Sequence, residues 1–258
     1  MLQQLFSLQG KTCVVTGGSR GLGYAIAKAF LAAGARRVYI TARKAEACEQ
    51  AAAALSANGD CVALPGDISQ MAEIERLVAE LGAREQSIEV LVNNAGVGWL
   101  APLDEFPEKG WDKVMDLNVK TPFFLTKALL PLLSSGGSVE HTASVINIGS
   151  IAGIKGVTDT FSYAPSKAAV HQMTRNLATE LAERNIRVNA IAPGRFHTAM
   201  TDYAKQDTAS YEGELRAIPL HRWGEDPDIM GTALLLASNA GAFITGQIIA
   251  IDGGTTLT

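Results

Sequence analysis

The amino-acid sequence predicts an α/β fold, a doubly wound, seven-stranded parallel sheet with helices on both faces. Three observations indicate it. Strand-like runs alternate with segments of helical period along most of the chain. The runs are apolar on both sides of the strand alternation, which is typical of strands covered on each face. The 258 residues, of which 47% are hydrophobic and 19% charged, are enough for one large buried core. We therefore expect residues 1–258 to form a single domain.

The first predicted strand, Lys11–Thr16, runs directly into a glycine-rich turn and then a helix. Gly34 stands where a helix C-cap glycine belongs, after apolar residues at steps of three and four: Leu22, Ile26, Ala29, Phe30 and Ala33. In the turn, glycines allow backbone N–H groups to approach a pyrophosphate at the positive end of the helix dipole: Gly17, Gly21 and Gly23. A strand-to-helix turn without a ligand is the alternative, since the spacing differs from G-x-G-x-x-G.

Six further strands are predicted in order along the chain: Arg37–Thr41, Asp60–Leu64, Ile88–Val92, Ser144–Ile148, Arg187–Ile191 and Gln247–Ile251. Residues Ser134–Thr142 form the one clear loop interruption, which we expect to be a surface excursion. Ligands of doubly wound sheets lie beyond the carboxyl ends of the strands. The polar motifs of this chain follow such ends, so they predict a ligand site there.

The end of the second strand favours NADP over NAD. An acid near this point would bind the ribose of NAD, but the next acid is Glu46. Arg43, with Arg20 and Ser19 from the glycine turn, suits the extra phosphate of NADP because a guanidinium forks onto phosphate oxygens. The alternative is that both arginines are simply solvated.

Ser150, Tyr163 and Lys167 predict a proton-transfer site. Tyr163 and Lys167 are spaced to share one face of a helix. A nearby ammonium favours the phenolate, so we expect it to lower the pKa of Tyr163 toward working pH. Ser150 follows an apolar run, and a strand ending there would hold its hydroxyl beside the phenol. A solvated Tyr–Lys pair is the alternative.

Asn118 is a second candidate for function. It lies in a helical stretch, where its amide competes for backbone hydrogen bonds and makes asparagine a poor interior residue. An exposed asparagine without a role is the alternative.

Together these motifs resemble the short-chain dehydrogenase/reductases over about residues 8–254. The motifs that carry the resemblance are T-G-G-S-R-G-L-G at 16–23, N-N-A-G at 93–96, Asn118, Ser150, Tyr163, Lys167 and P-G at 193–194. Segments such as I-A-P-G-R-F, and the R-W-G after Ile218-Pro219, are most similar to bacterial 3-oxoacyl reductases of the rhamnolipid-synthesis type. The resemblance implies a Rossmann fold and NADPH-dependent reduction of a ketone.

The resemblance also implies roles for the four catalytic candidates. Tyr163 would supply a proton to the developing alkoxide, and Ser150 would orient that oxygen. Lys167 would lower the pKa of the phenol and grip the nicotinamide ribose. Asn118 would hold a water that joins Lys167 to solvent.

The cofactor site that the resemblance implies spans several strand ends: Gly17, Ser19, Arg20, Gly21, Leu22, Gly23, Arg43, Asp67, Ile68, Asn94, Ala95, Gly96, Tyr163, Lys167, Pro193, Gly194, Phe196 and Thr198. Asp67 would contact the adenine amine with Ile68 beside the ring. The alternative is that Asp67 or Ser69 is a helix N-cap. The 193–198 stretch would close over the nicotinamide, although Pro-Gly is also an ordinary turn signal.

We expect a substrate lid at 195–223. Its apolar residues suit an acyl chain, with plain helix packing as the alternative: Met200, Tyr203, Tyr211, Leu215 and Ile218. A 3-oxoacyl thioester, reduced to the 3-hydroxyacyl thioester, is the favoured substrate, and a sugar or polyol dehydrogenase of gluconate type is the alternative. A docking site for an acidic acyl carrier protein is doubtful, because Thr179 stands where reductases that act on carrier-bound substrates often have a basic residue. A non-catalytic NADP-binding sensor is the alternative from another class.

Charge and composition limit the partners. The net charge of −4 and the absence of a basic run longer than two residues exclude electrostatic nucleic-acid binding. No apolar run is long enough to span a membrane, and the start lacks the features of a signal peptide, so we expect a cytoplasmic protein. The 3 cysteines and 4 histidines show no metal spacing; we expect free thiols and no metal. By resemblance we expect a homotetramer formed through the long fourth and fifth helices and the last strand.

Overall fold

The computed structural model describes residues 2–197 and 208–258. Its seven strands are all parallel and form one sheet in the order β3-β2-β1-β4-β5-β6-β7. The strands are β1 Thr12–Thr16, β2 Arg37–Thr41, β3 Cys61–Ala63, β4 Val90–Asn93, β5 Ala143–Ile148, β6 Ile186–Pro193 and β7 Ile248–Ile251. The chain winds outward from β1 to β3 and then continues in the opposite direction from β4. The predicted doubly wound sheet is thereby confirmed.

Nine helices lie within the described residues: α1 Leu2–Leu5, α2 Gly21–Ala32, α3 Ala45–Leu55, α4 Met71–Arg84, α5 Glu108–Met115, α6 Thr121–Gly136, α7 Tyr163–Leu181, α8 Thr208–Ala217 and α9 Asp226–Ala237. A π-helical segment, Asp116–Lys120, joins α5 to α6. α2 ends where predicted, because Gly34 has a φ of +86° and the N–H of Ala35 donates to the carbonyl of Phe30 at 3.0 Å.

The sheet separates two apolar cores. Val14 and Tyr39 point into the core that also contains Leu77, Leu91 and Leu129. Their chain neighbours Val15 and Ile40 point into the opposite core with Phe30 and Ile229. Because successive strand residues face opposite sides, strands that are buried on both faces must be apolar throughout. That requirement explains the continuous Val and Ile runs that identified the strands.

Two predicted boundaries shift for identifiable reasons. α6 continues into the predicted loop as far as Gly136, and the helix end packs so closely on the chain before β4 that a side chain at Gly136 would overlap the carbonyl of Ile88. β6 extends through Pro193, which pairs with Ile251. The Pro-Gly signal is therefore the end of a strand, with the turn beginning at Gly194. These ends place the predicted motifs along one edge of the sheet.

Candidate active site

The glycine turn after β1 is tied by hydrogen bonds to the chain that follows β4. Gly17 and Gly21 have φ values of +66° and +56°, a region that favours glycine. The hydroxyl of Thr16 accepts from the backbone N–H groups of Asn94 and Ala95, both at 3.0 Å. α2 begins at Gly21 with no side-chain cap. Its first backbone N–H groups are thus placed to receive an anion.

The side chain of Asn94 bonds within the protein, and its predicted cofactor contact stays a prediction. Its Nδ2 donates to the carbonyls of Thr16 at 2.8 Å and Gly17 at 3.2 Å. Both amide hydrogens are therefore used within the protein. A side chain at Gly17 would lie 2.9 Å from this Nδ2, which explains why the turn needs glycine there. The Asn94 side chain shapes the turn, and a donated contact to a ligand is left to the backbone.

The adenosine end of the predicted site contains two unpaired cations. Arg20 and Arg43 are exposed, and neither has a carboxylate partner among the described residues. Glu46 lies beyond them in α3 and accepts from Gln50 at 3.1 Å. The end of β2 therefore presents positive charge and no nearby acid, as the sequence predicted.

Asp67 closes a turn of its own. Its Oδ1 accepts from the N–H of Ser69 at 3.2 Å and from the Ser69 hydroxyl at 2.8 Å. The N-cap of α4 is Gln70, so the alternative that Asp67 or Ser69 caps this helix is wrong. Ile68 is buried, and its carbonyl accepts from Thr121 at 3.0 Å.

The three proton-transfer candidates meet beyond the carboxyl end of β5. Tyr163 is the first residue of α7, and the Ser150 hydroxyl faces its phenol closely enough to lower the pKa of that phenol. The Ser150 oxygen also accepts from the N–H of Ala152 at 3.1 Å, which leaves its own hydrogen free to donate. The Nζ of Lys167 lies 5.5 Å from the centre of the Tyr163 ring. The predicted proximity of the three groups is confirmed.

The predicted pKa shift of Tyr163 is wrong for the protein alone. Burial raises the pKa of Tyr163, and this effect exceeds the lowering by the Ser150 hydroxyl and by the positive charge of Arg195. Burial likewise lowers the pKa of Lys167 from 10.5 to about 8. The spacing of Tyr163 and Lys167 indicates their proximity but contains no information about desolvation, so the sequence could not indicate the direction of either shift.

Asn118 lies inside the π-helical segment and is only 3% exposed, so the alternative of an exposed asparagine is wrong. Its Oδ1 accepts from the N–H of Val97 at 2.9 Å, and its Nδ2 donates to the Val97 carbonyl at 2.9 Å and the Ser166 hydroxyl at 3.0 Å. Ser166 in turn donates to the carbonyl of Tyr163 at 2.6 Å. Asn118 therefore joins the chain after β4 to the start of α7. The π segment accommodates this residue, as such segments often do at functional sites.

The residues after β6 divide between the site and the core. The N–H of Gly194 donates to the Ile251 carbonyl at 3.1 Å, and a side chain there would lie 2.8 Å from Asp252. Phe196 is only 4% exposed and packs against Gly224. The Phe196 ring is therefore part of the core, and the place of Phe196 in the cofactor site stays a prediction. Thr198, Met200 and Tyr203 lie outside the described residues.

The described residues of the 195–223 segment include a small core of their own. Ile218 and Trp223 are buried, and Tyr211 and Leu215 pack against them. These residues pack against one another, and the lid stays a prediction. Arg195 pairs with Glu214 of α8 at 2.9 Å, which ties α8 to the chain that follows β6.

Sequence reasoning missed a polar ladder beneath the site. Asn93 donates to Asn147 at 2.9 Å and to Thr126 at 3.2 Å, and Asn147 donates to Thr174 at 2.9 Å. The ladder links the ends of β4 and β5 to α6 and α7. The available signal was an asparagine in each of two otherwise apolar strands.

The described ranges contain no group of three or more His, Cys, Asp or Glu side chains placed to hold a metal ion. Within the same ranges no helix is long and apolar enough to cross a membrane. Cys13, Cys48 and Cys61 are free and buried, which confirms the predicted thiols. Burial raises the pKa of each thiol, so they are not reactive thiolates.

Comparisons with known proteins cover nearly the whole chain. A family model described as enoyl-(acyl carrier protein) reductase matches residues 17–256. The chain is 49% identical over 250 residues to a rhamnolipids biosynthesis 3-oxoacyl-(acyl-carrier-protein) reductase of Pseudomonas aeruginosa, covering 96% of this chain and 97% of that protein. It is 38% identical over 259 residues to a 2-dehydro-3-deoxy-D-gluconate 5-dehydrogenase of Dickeya dadantii, covering 98% of each.

A solved structure is also similar to this chain over nearly its whole length. The Pseudomonas aeruginosa RhlG/NADP active-site complex matches with a TM-score of 0.95 and 48% identity, over 98% of this chain and 99% of that chain. The backbone that positions the candidate residues is therefore shared with a relative whose active site was determined together with NADP.

Proposed function

The chain belongs to the short-chain dehydrogenase/reductase family, and we propose that it is an NADPH-dependent carbonyl reductase that converts a 3-oxoacyl thioester into a 3-hydroxyacyl thioester. The observation that carries the chemistry is the proximity of the Ser150 hydroxyl to the Tyr163 phenol, with Lys167 one helical turn away. The thioester is supported by the higher identity to the 3-oxoacyl reductase, 49%, than to the gluconate-type dehydrogenase, 38%.

NADPH fits the residues that are present. The turn at Gly17 has no side chain where a pyrophosphate would approach, and the N-terminus of α2 lies behind it. Arg20 and Arg43 have no carboxylate partner in the described ranges and would bind the extra phosphate of NADP together with Ser19. When bound, NADPH supplies the hydride that adds to the carbonyl carbon.

The proton is supplied by this chain. Tyr163 has a raised pKa, so its phenol keeps its proton at neutral pH and can act as the acid of a reduction. Ser150 retains a free hydroxyl hydrogen, because its oxygen is the acceptor in the bond from Ala152. That hydrogen can be donated to the carbonyl oxygen of the substrate while Tyr163 protonates it. The two hydroxyls would then stabilise charge at the same oxygen.

Lys167 and Asn118 support Ser150 and Tyr163. The ammonium of Lys167 has donors left after its bond to Ile148, and we propose that one of them binds the nicotinamide ribose. Asn118 fixes Val97 and Ser166 beside Tyr163. The water relay through Asn118 that the family resemblance implies stays a prediction.

Assembly and location are further parts of the proposal. Met115, Val119, Phe123, Phe124 and Met173 line a shallow apolar cavity at the surface of α6 and α7. Phe243 is fully exposed close to β7, which is an edge strand. These two apolar surfaces support a homotetramer formed through the helices and the last strand. We also propose that the chain is cytoplasmic, and that size-exclusion chromatography with light scattering will give the mass of a tetramer.

A substrate panel tests the proposed function. NADPH consumption would be followed with 3-oxoacyl thioesters of coenzyme A and of acyl carrier protein, with keto-gluconates and with simple diketones. We expect the highest kcat/KM with a 3-oxoacyl thioester. A preference for a keto-gluconate would assign the chain to the sugar dehydrogenases instead. NADPH binding without turnover of any ketone would identify a sensor.

A further inference from the structure

We propose that His171 is a positioning residue for the reaction, because its imidazole holds the loop that presents Ser150 to Tyr163. This inference rests on the proposed function. His171 lies on α7 one turn beyond Lys167, so Tyr163, Lys167 and His171 follow one another along the same face. His171 is only 5% exposed.

The imidazole fills a space left by two glycines that flank Ser150. A side chain at Gly149 would overlap Nε2 of His171 and lie 2.7 Å from its Cδ2. A side chain at Gly153 would lie 2.9 Å from its Cε1. The backbone of Gly153 is also close enough to the ring to influence its pKa. The His171 side chain thereby sets the position of the loop from Gly149 to Gly153.

One nitrogen of the ring is unsatisfied. Nε2 of His171 is buried and has no hydrogen-bond partner among the described residues. A buried polar atom without a partner is unfavourable, and native proteins retain few of them. An apolar side chain at this position would avoid the penalty, but it would lose the flat ring that fits against Gly149 and Gly153. The retained imidazole therefore indicates a requirement for that ring.

His171 contributes shape and no charge at working pH. Its pKa is lowered to about 4 by burial and by the positive charges of Lys167 and Arg175. The ring is therefore neutral beside the Lys167 ammonium across the neutral range. Its effect on the reaction must act through the position of Ser150, and a displacement of about 1 Å at a reacting group can reduce a rate by about 100-fold.

A double-mutant cycle tests the inference. His171→Ala and Gly149→Ala are made singly and together, and kcat, the KM for NADPH and the free energy of unfolding are measured. We expect each single change to lower kcat by about 10- to 100-fold, with the KM for NADPH changed by less than about threefold. The double variant should keep at least about tenfold more kcat than the product of the single effects, because removing the ring makes room for the new methyl group.

Gly153→Ala is the matched control. Its Cβ would also lie 2.7 Å from the α7 backbone at Lys167 and Ala168, a conflict that removal of the imidazole cannot relieve. His171→Ala should therefore rescue Gly149→Ala and fail to rescue Gly153→Ala. If His171→Ala does not fold, His171→Asn replaces it in the cycle, since it is smaller and keeps a planar polar group at this position.

The outcomes separate this inference from the proposed function. The inference would be overturned if the effects of the His171 and Gly149 changes on kcat were additive. It would also be overturned if the two changes were coupled only in the free energy of unfolding, because that result would indicate a purely structural role. Wild-type protein that reduces no ketone would instead remove the proposed function, and the inference with it. A raised KM for NADPH with unchanged kcat would also overturn the inference.

Discussion

The ammonium of Lys167 donates a hydrogen bond of 2.8 Å to the carbonyl oxygen of Ile148, the last residue of β5. This bond fastens α7 to the strand that ends two residues before Ser150. It is also the only hydrogen bond of this buried ammonium within the described residues, and burial lowers the pKa of Lys167 to about 8. A buried charge with one hydrogen-bond partner destabilises the folded state. The bond that positions Lys167 therefore comes with a loss of stability.

Replacement of Lys167 should therefore stabilise the protein while it abolishes turnover. The pKa falls from 10.5 to about 8 on folding, so between these pH values the unfolded chain binds more protons and the free energy of unfolding rises with pH. Lys167→Met removes this penalty, which is at most about 3 kcal/mol at pH 7. Urea unfolding at pH 7 and pH 10 would measure it, with the surface change Lys127→Met as control. A less stable Lys167→Met protein at pH 7 would contradict the prediction.

Arg43 should set the preference for the phosphorylated coenzyme. Because hydrogen bonds to charged groups contribute about 1.5–3 kcal/mol, we expect Arg43→Ala to raise the KM for NADPH by about 10- to 100-fold. The KM for NADH should stay within about threefold, since NADH lacks the phosphate. Steady-state kinetics with both coenzymes would check this, with Arg175→Ala on the exposed part of α7 as control. An equal increase in the KM for NADH would mean that Arg43 does not bind the extra phosphate of NADP.

Asn118 should matter to the fold as well as to the reaction. Asn118→Ala leaves both backbone groups of the half-buried Val97 without their partner, and each such loss costs about 1–3 kcal/mol. We expect a free energy of unfolding lower by about 2–4 kcal/mol and a reduced kcat. Chemical denaturation would measure the former. Asn176→Ala, an exposed amide on α7, is the control, and equal stability of the two variants would disprove the assigned contacts.

The Arg195–Glu214 ion pair should help to dock α8 over the site. The pair is half-exposed, so its contribution is at most about 1 kcal/mol. Glu214→Gln should therefore raise the KM for the thioester by up to about fivefold, with NADPH binding unchanged. Glu212→Gln is the control on the same helix, because Glu212 pairs with Arg216 at the surface. An equal increase in KM for both variants would exclude the docking role.

The sequence predicted what depends on local pattern. Val14 and Val15 identify a strand buried on both faces, and Gly17 and Gly34 mark a turn and a helix end through their positive φ. The two amide hydrogens of Asn94 bond to Thr16 and Gly17, residues remote in the chain, so no local pattern could show that they were unavailable to a cofactor.

The pKa of Tyr163 is raised, whereas the sequence predicted that it would be lowered. The reason is again that the pKa depends on residues remote in the chain. Spacing gives the distance between Tyr163 and Lys167 on a helix, whereas desolvation depends on everything that packs around them. Phe196 is a related case, since its burial requires Gly224, which lies far along the chain. Sequence patterns therefore predicted which residues the fold brings together, but they could not show which side chains pack within the protein.

The most direct test of the account is the turnover of Tyr163→Phe with a 3-oxoacyl thioester. This change removes only the hydroxyl that is to supply the proton, and the ring still fills its place beside Gly98. We predict that kcat falls by at least about 100-fold, the scale of general acid catalysis, while NADPH binds with unchanged affinity. A Tyr163→Phe protein that reduces the thioester at the wild-type rate would contradict the account.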